Sequence, residues 1–194
     1  DMAGVARGKI TPAKKYVREE SMRLPEALFA QTVTGDWPDD EYEEIIDPAE
    51  IDMMVLPDAG TVRFVPWAVE PTAQIIHDCF YRDGSPVPLA PRNVLKRVLK
   101  LFADEGWKPV VAPELEFFLT DINKDPDYPL VPPIGRSGRR ETARQSYGID
   151  AVNEFDPLFE QMYDYSEAQE LSIDTLIHED GAAQMEINFE HGDA

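Results

Sequence analysis

Cysteine is nearly absent. Cys79 is the single thiol in 194 residues, which excludes an internal disulfide framework and a cysteine-built zinc site. Basic residues are outnumbered, 18 against 38 acidic ones, for a formal net charge of -20. Such a surface repels nucleic acid and anionic membranes, and neither is expected as a partner. No apolar run approaches the length that crosses a bilayer, and the opening residues do not resemble a secretory leader. No Walker-type glycine loop, internal repeat or low-complexity tract stands out, apart from the acidic run Asp36 to Glu44. A cytoplasmic setting fits these absences. The chain opens on Asp1 rather than methionine and stops at Ala194 just after a strong strand pattern, so a piece of a larger protein is expected.

Hydrophobic residues make up 43% of the chain, enough for a real core in one large domain or two small ones. Over residues 1–85 strand signals dominate. Val5 to Val17 predicts a strand and turn, and Leu28 to Thr34 a strand closed by Gly35 and a turn at Pro38. Asp52 to Leu56 and Thr61 to Val65 predict a hairpin across Pro57 to Gly60, and Gln74 to Phe80 a further strand. Arg82 to Pro88 reads as turn and linker. Residues 86–194 change character. Arg92 to Glu105 predicts an amphipathic helix with Val94, Leu95, Val98, Leu101 and Phe102 at helical spacing and Gly106 as its stop. Lys108 to Leu119 predicts a strand, and Asn123 to Gly148 a long functional or mobile loop. Asp156 to Leu171 predicts a second helix, and Ile173 to Glu179 with Gln184 to Glu190 a hairpin. The expected class is α+β. Trp37 and Trp67 read as structural, and the basic stretch Gly135 to Arg140 as a mobile loop rather than a phosphate clamp.

Most of the acidic excess reads as a solvated exterior, but four carboxylates are patterned. Glu114 and Glu116 lie two apart on one strand and share its face, with Leu115 and Phe117 on the other. In the later hairpin, a turn centred on Gly181 and Ala182 places Glu179 opposite Gln184. Glu186 then lies on the same face, one pair along, roughly 7–8 Å away at the backbone. If the two strand pairs meet, four carboxylates converge and need a cation or protons to offset their repulsion. Oxygen-only ligands suit magnesium or manganese. A wet face of an antiparallel sheet fits the same pattern. Strand parity points His178 away from this face, toward packing or hydrogen bonding. Asp174 shares that opposite parity unless a bulge intervenes.

Pro113 to Leu119 (PELEFFL) and His178 to Glu190 (HEDGAAQMEINFE) together resemble the metal-binding segments of the glutamine synthetase superfamily. Met54 to Trp67 (MVLPDAGTVRFVPW) is similar to its amino-terminal signature, Arg82 to Leu99 to its link into the catalytic domain, and Asp1 to Lys9 to its opening strand. The resemblance implies a small β-grasp domain over residues 1–85 and the first part of a catalytic domain with a curved antiparallel sheet over 86–194. It implies that Glu114 binds one divalent metal, and Glu116, Glu179 and Glu186 a second, either Mg2+ or Mn2+. It implies an ATP-dependent reaction in which the glutamate side-chain carboxylate takes the γ-phosphoryl group and an amine or ammonia displaces phosphate. A homo-oligomeric ring, commonly a dodecamer, is implied as well. No residue is assigned to acid–base catalysis or to ATP contact. The family's His-x-His segment, several arginines and a further metal-binding glutamate would follow Ala194, so these 194 residues alone are expected to be inactive.

One segment bears on the amine. Ammonia-using members carry an aspartate in a loop similar to Phe29 to Trp37 (FAQTVTGDW), where this chain has Ala30, with Val33 in place of a serine. That departure favours the glutamate–amine ligases, which make γ-glutamyl derivatives of polyamines or alkylamines. Glutamine synthetase proper and a catalytically silent, metal-binding homologue are the competing readings.

Overall fold

The computed structural model describes residues 1–19, 21–37, 46 and 51–194. In chain order the elements are α1 (Ala13–Glu19), β1 (Met22–Pro25), β2 (Asp52–Pro57), β3 (Arg63–Phe64), β4 (Ala73–Gln74) and β5 (His77–Phe80). There follow α2 (Pro91–Asp104), β6 (Val110–Val111), β7 (Glu114–Phe118), α3 (Ile149–Asn153), α4 (Asp156–Ala168), β8 (Ile173–His178), β9 (Gln184–Phe189) and β10 (Gly192–Asp193). Asp1–Val62 and Ala73–Lys108 make one compact unit, and Arg63–Thr72 and Pro109–Ala194 a second. The described helices include none long and apolar enough to cross a membrane.

In the first unit β2 lies between β1 and β5, antiparallel to both. Met53 and Val55 alternate with more exposed neighbours along β2. They show the period of a strand with one face in a core. Met53 joins Ala27, Leu28, Phe29, Ile46, Val87 and Ala90 in that core. Pro91 opens α2 where a missing N–H costs nothing. Asn93 is buried and donates to the carbonyls of Cys79 at 2.8 Å and Val87 at 3.0 Å, so one amide ties the helix to the chain before it. On its outer side Arg92 reaches Asp58 at 2.7 Å and Asp78 at 3.1 Å, and Lys96 also meets Asp78.

The second unit is built on the three-stranded antiparallel sheet β7-β9-β8, and β10 pairs with β6 in a separate two-stranded sheet. Met185, Ile187 and His178 are buried in it, as is Phe159 of α4, and α3 packs against β8. Trp67 meets Tyr165 with ring centroids 5.8 Å apart.

Several sequence expectations need correction. Leu28 to Thr34 is no strand: Glu26–Ala30 is a single 3-10 helix that buries Leu28 and Phe29, and Thr32 to Gly35 is a hydrogen-bonded turn. Val5 to Val17 holds no strand, and its second half enters α1. Asp52–Pro57 pairs with β1 and β5 rather than in a hairpin, because Ala59–Thr61 is wound into a 3-10 turn capped by Asp58. The strand expected over Lys108 to Leu119 is broken between Val111 and Glu114, and that over Gln74 to Phe80 between Gln74 and His77. The helix expected from Asp156 ends at Ala168, and α3 precedes it. α2 forms as expected, but Val94, Leu95, Val98 and Leu101 stay exposed. The acidic run and the Pro38 turn lie, beyond Trp37, outside the described residues.

Candidate functional site

Register decides which side chains share a face of the β7-β9-β8 sheet. Glu114 pairs with Asn188, Glu116 with Glu186 and Phe118 with Gln184. On the other side of β9, Thr175 pairs with Asn188, Ile177 with Glu186 and His178 with Met185. Successive side chains alternate, so Glu114, Glu116 and Glu186 stand on one face with Asn188. Leu115, Phe117, Met185, Ile187 and His178 stand on the other. The amide of Glu179 donates to the carbonyl of Gln184 at 2.8 Å, which carries the pairing one row past β8 and sets Glu179 on the acidic face. A register shift between Ile173 and Thr175 takes Asp174 out of the ladder.

The four carboxylates are not equivalent. Glu116 and Glu186 are direct cross-strand partners, the closest relation two strand residues can have. Glu114 stands one row away, beside Asn188. Glu179 stands one row away in the opposite direction, beyond Gln184, and its Oε2 accepts from the amide of Asp180 at 3.3 Å. Gln184 links the turn to the sheet: its Oε1 accepts from Gly181 N at 2.8 Å and its Nε2 donates to Glu116 Oε2 at 2.8 Å. Among the described residues, no three His, Cys, Asp or Glu side chains stand close enough to form a ready metal cage.

Two features of this face fit a hard cation nonetheless. Glu186 is only 7% exposed, and among the described residues no hydrogen bond or ion pair reaches its carboxylate. Most of the side chain is enclosed, yet its carboxylate oxygens are not among the fully buried atoms, so a cation can reach them from the solvent side. Beside it on β9, Asn188 Oδ1 is buried without a donor, while Nδ2 of the same amide donates to Thr175 Oγ1 at 3.1 Å. Leaving such an acceptor unmatched costs about 1–3 kcal/mol. Oxygen acceptors lacking donors, on neighbouring rows of one face, are what magnesium and manganese take as ligands.

The long loop before α3 is tied down rather than open. Gly135 N donates to the Arg139 carbonyl at 3.0 Å. Ser137 N donates to Glu154 Oε2 at 2.9 Å, and that bond holds the Glu154 carboxyl below the usual carboxylate range. Arg140 pairs with Asp121 and lowers its carboxyl in the same sense. Neither Asn188 nor Glu141 stands out in the sequence. An isolated asparagine or loop glutamate carries no periodic signal, although Asn188 shares the parity of Glu186 and was findable on that ground.

Comparison with known proteins agrees with this architecture. Residues 88–194 match the family model for the glutamine synthetase catalytic domain, and the chain belongs to the glutamine synthetase family. It is 30% identical over 199 residues to the gamma-glutamylputrescine synthetase of Escherichia coli (strain K12), covering 100% of this chain and 41% of that protein. It is 31% identical over 195 residues to a glutamine synthetase of Rhizobium meliloti (strain 1021), covering 100% of this chain and 40% of that one. The solved structure of a novel glutamine synthase homolog superposes with a TM-score of 0.74 at 18% identity, covering 99% of this chain and 42% of the other. That likeness concerns the fold, which is α+β with antiparallel sheets. The chain thus spans about two fifths of the length of these relatives.

Proposed function

We propose that this chain is the amino-terminal part of an ATP-dependent ligase that joins the γ-carboxylate of glutamate to an amine through a γ-glutamyl phosphate. The observation that carries the reading is the Glu116–Glu186 pair, with Glu186 buried and unpartnered on an acidic sheet face. Glu114 holds one divalent cation, and Glu116, Glu179 and Glu186 a second. Magnesium or manganese there supplies charge neutralisation and orientation for phosphoryl transfer. The protein's own part is to fix the carboxylates on a rigid strand pair, with Gln184 orienting Glu116 and the apolar residues of β9 anchoring the back of the sheet. Residues 1–85 form a β-grasp domain, residues 86–194 begin the catalytic domain, and the intact protein assembles as a cytoplasmic ring.

An organic amine is favoured over ammonia by Ala30 and Val33. Ala30 ends the 3-10 helix half-buried, and Val33 is exposed in the turn that follows. Neither side chain can hold an ammonium ion by charge or hydrogen bond, whereas both suit an alkyl group. Overall identity does not choose between the branches, since it is 30% to the one relative and 31% to the other.

The intact gene product, assayed with ammonia and with a panel of alkylamines and polyamines, tests the reading. An amine is expected to be the best substrate, and Glu186→Ala is expected to abolish turnover. Ammonia preferred over every amine would move the protein to glutamine synthetase proper. Full activity in Glu186→Ala would remove the metal site.

A further inference from the structure

The loop before α3 closes over the turn end of the β8–β9 hairpin through a set of contacts outside the acidic face. Tyr147 N donates to the carbonyl of His178 at 2.9 Å. Ser146 Oγ donates to one oxygen of Asp180, and Arg144 lies 3.6 Å from the other. The remaining contact is buried. The His178 side chain is 0% exposed and that of Glu141 7%, with Nε2 2.8 Å from Oε1 and 3.0 Å from Oε2. The other ring nitrogen, Nδ1, lies 2.6 Å from the carbonyl of Glu179. A carbonyl only accepts, so Nδ1–H donates to it.

The imidazole therefore links the loop carboxylate to the main chain of Glu179. Glu179 is held on both sides, its N–H by the Gln184 carbonyl and its C=O by His178. Only its side chain is left to face the acidic rows. An apolar pair of similar volume would fill this space without the desolvation cost of two polar groups. What the polar pair adds is direction.

We propose that Glu141 is a positioning residue for the cation site: through His178 it fixes the main chain of Glu179 and so the place of that carboxylate. The inference rests on the metal-site reading above. Groups that orient a ligand from behind typically contribute 10–100-fold in metal affinity.

The test is the Mn2+ affinity of the intact gene product, read from the electron paramagnetic resonance signal of free Mn2+, with the thermal midpoint measured separately in metal-free buffer. Glu141→Met keeps the volume and loses the hydrogen bond, and is expected to weaken Mn2+ binding about tenfold or more. Glu141→Gln keeps the reach and still offers Nε2 an amide oxygen as acceptor, and is expected to restore affinity. A folded Glu141→Met protein that binds Mn2+ with less than a tenfold loss overturns the proposal, whatever its thermal midpoint. Should Glu141→Met not fold, the apolar pair Glu141→Met with His178→Phe carries the same test with the same threshold. Glu186→Ala separates the two levels. If it leaves Mn2+ binding unchanged, the metal site itself is wrong and the inference falls with it. If it removes one bound Mn2+ while Glu141→Met binds normally, only the inference is wrong.

Discussion

Tyr81, half-buried in the first unit, and Glu186, enclosed in the second, are two acids with opposite surroundings. Tyr81 donates its hydroxyl to Glu26 Oε1 at 2.6 Å. Burial first, and then that bond, push its phenol up to about 12 from an ordinary value of 10.0. The sign follows directly: a raised folded value means the native state holds the proton more tightly. The contribution is complete below about pH 10 and is lost as pH rises through about 12. Alkaline titration followed by phenolate absorbance is expected to show a late step that is missing in Tyr81→Phe. The decline in stability between those pH values should flatten in the same variant. If Tyr81→Phe titrates like the parent, the bond to Glu26 is not made in solution. Glu186 has no such donor, and in the proposed reading a cation takes that place. That Glu114 and Glu116 share a face, and Glu179 and Glu186 likewise, was legible in the sequence because alternation is a local property of a strand; that β7 pairs with β9 and joins them was not. Glu141 was not, because its meaning comes from His178, 37 residues away.

Among the elements, the β8–β9 hairpin turns on one small residue. A Cβ at Gly181 would come within 2.7 Å of Phe118 Cε1 and 2.8 Å of Gln184 Oε1. Gln184 is the side chain that bonds Gly181 and Glu116 together, so it cannot move aside without releasing Glu116. Gly181→Ala is expected to cost about 1–3 kcal/mol, the usual range for overpacking, measured by urea denaturation. A neutral result would mean that the turn has room to shift. This hairpin and α2 were readable because each has a long, regular hydrophobic period. The segment Leu28 to Thr34 was not, since a short apolar run fits a buried 3-10 turn as well as a strand. The supposed hairpin after Asp52 failed for another reason: β2 takes both its partners, β1 and β5, from distant sequence, and strand pairing over such separations leaves no local mark. α2 shows the converse limit. Its period predicted the helix, while the exposure of Val94, Leu95, Val98 and Leu101 is set by what lies beside it.

At the scale of the whole molecule, a formal net charge of -20 complicates any claim about a cation. Such a chain repels itself, and every salt relieves that repulsion over a Debye length of about 8 Å at physiological ionic strength. Stabilisation by Mn2+ is therefore no proof of a site unless screening is removed from the comparison. Screening depends on ionic strength alone, whereas a site saturates and depends on named ligands. At matched ionic strength, Mn2+ at 100 times its dissociation constant is expected to stabilise the intact gene product by about 2.7 kcal/mol more than NaCl does. The part of that excess due to the site of Glu116, Glu179 and Glu186 should vanish in Glu186→Ala, while the response to NaCl stays, because one carboxylate among 38 acidic residues hardly changes the mean field. Urea denaturation in both salts, for both proteins, separates the two effects. Equal stabilisation by Mn2+ and NaCl would assign the acidic face to solvent, and the paired glutamates of β7 and β9 would then be a wet sheet surface.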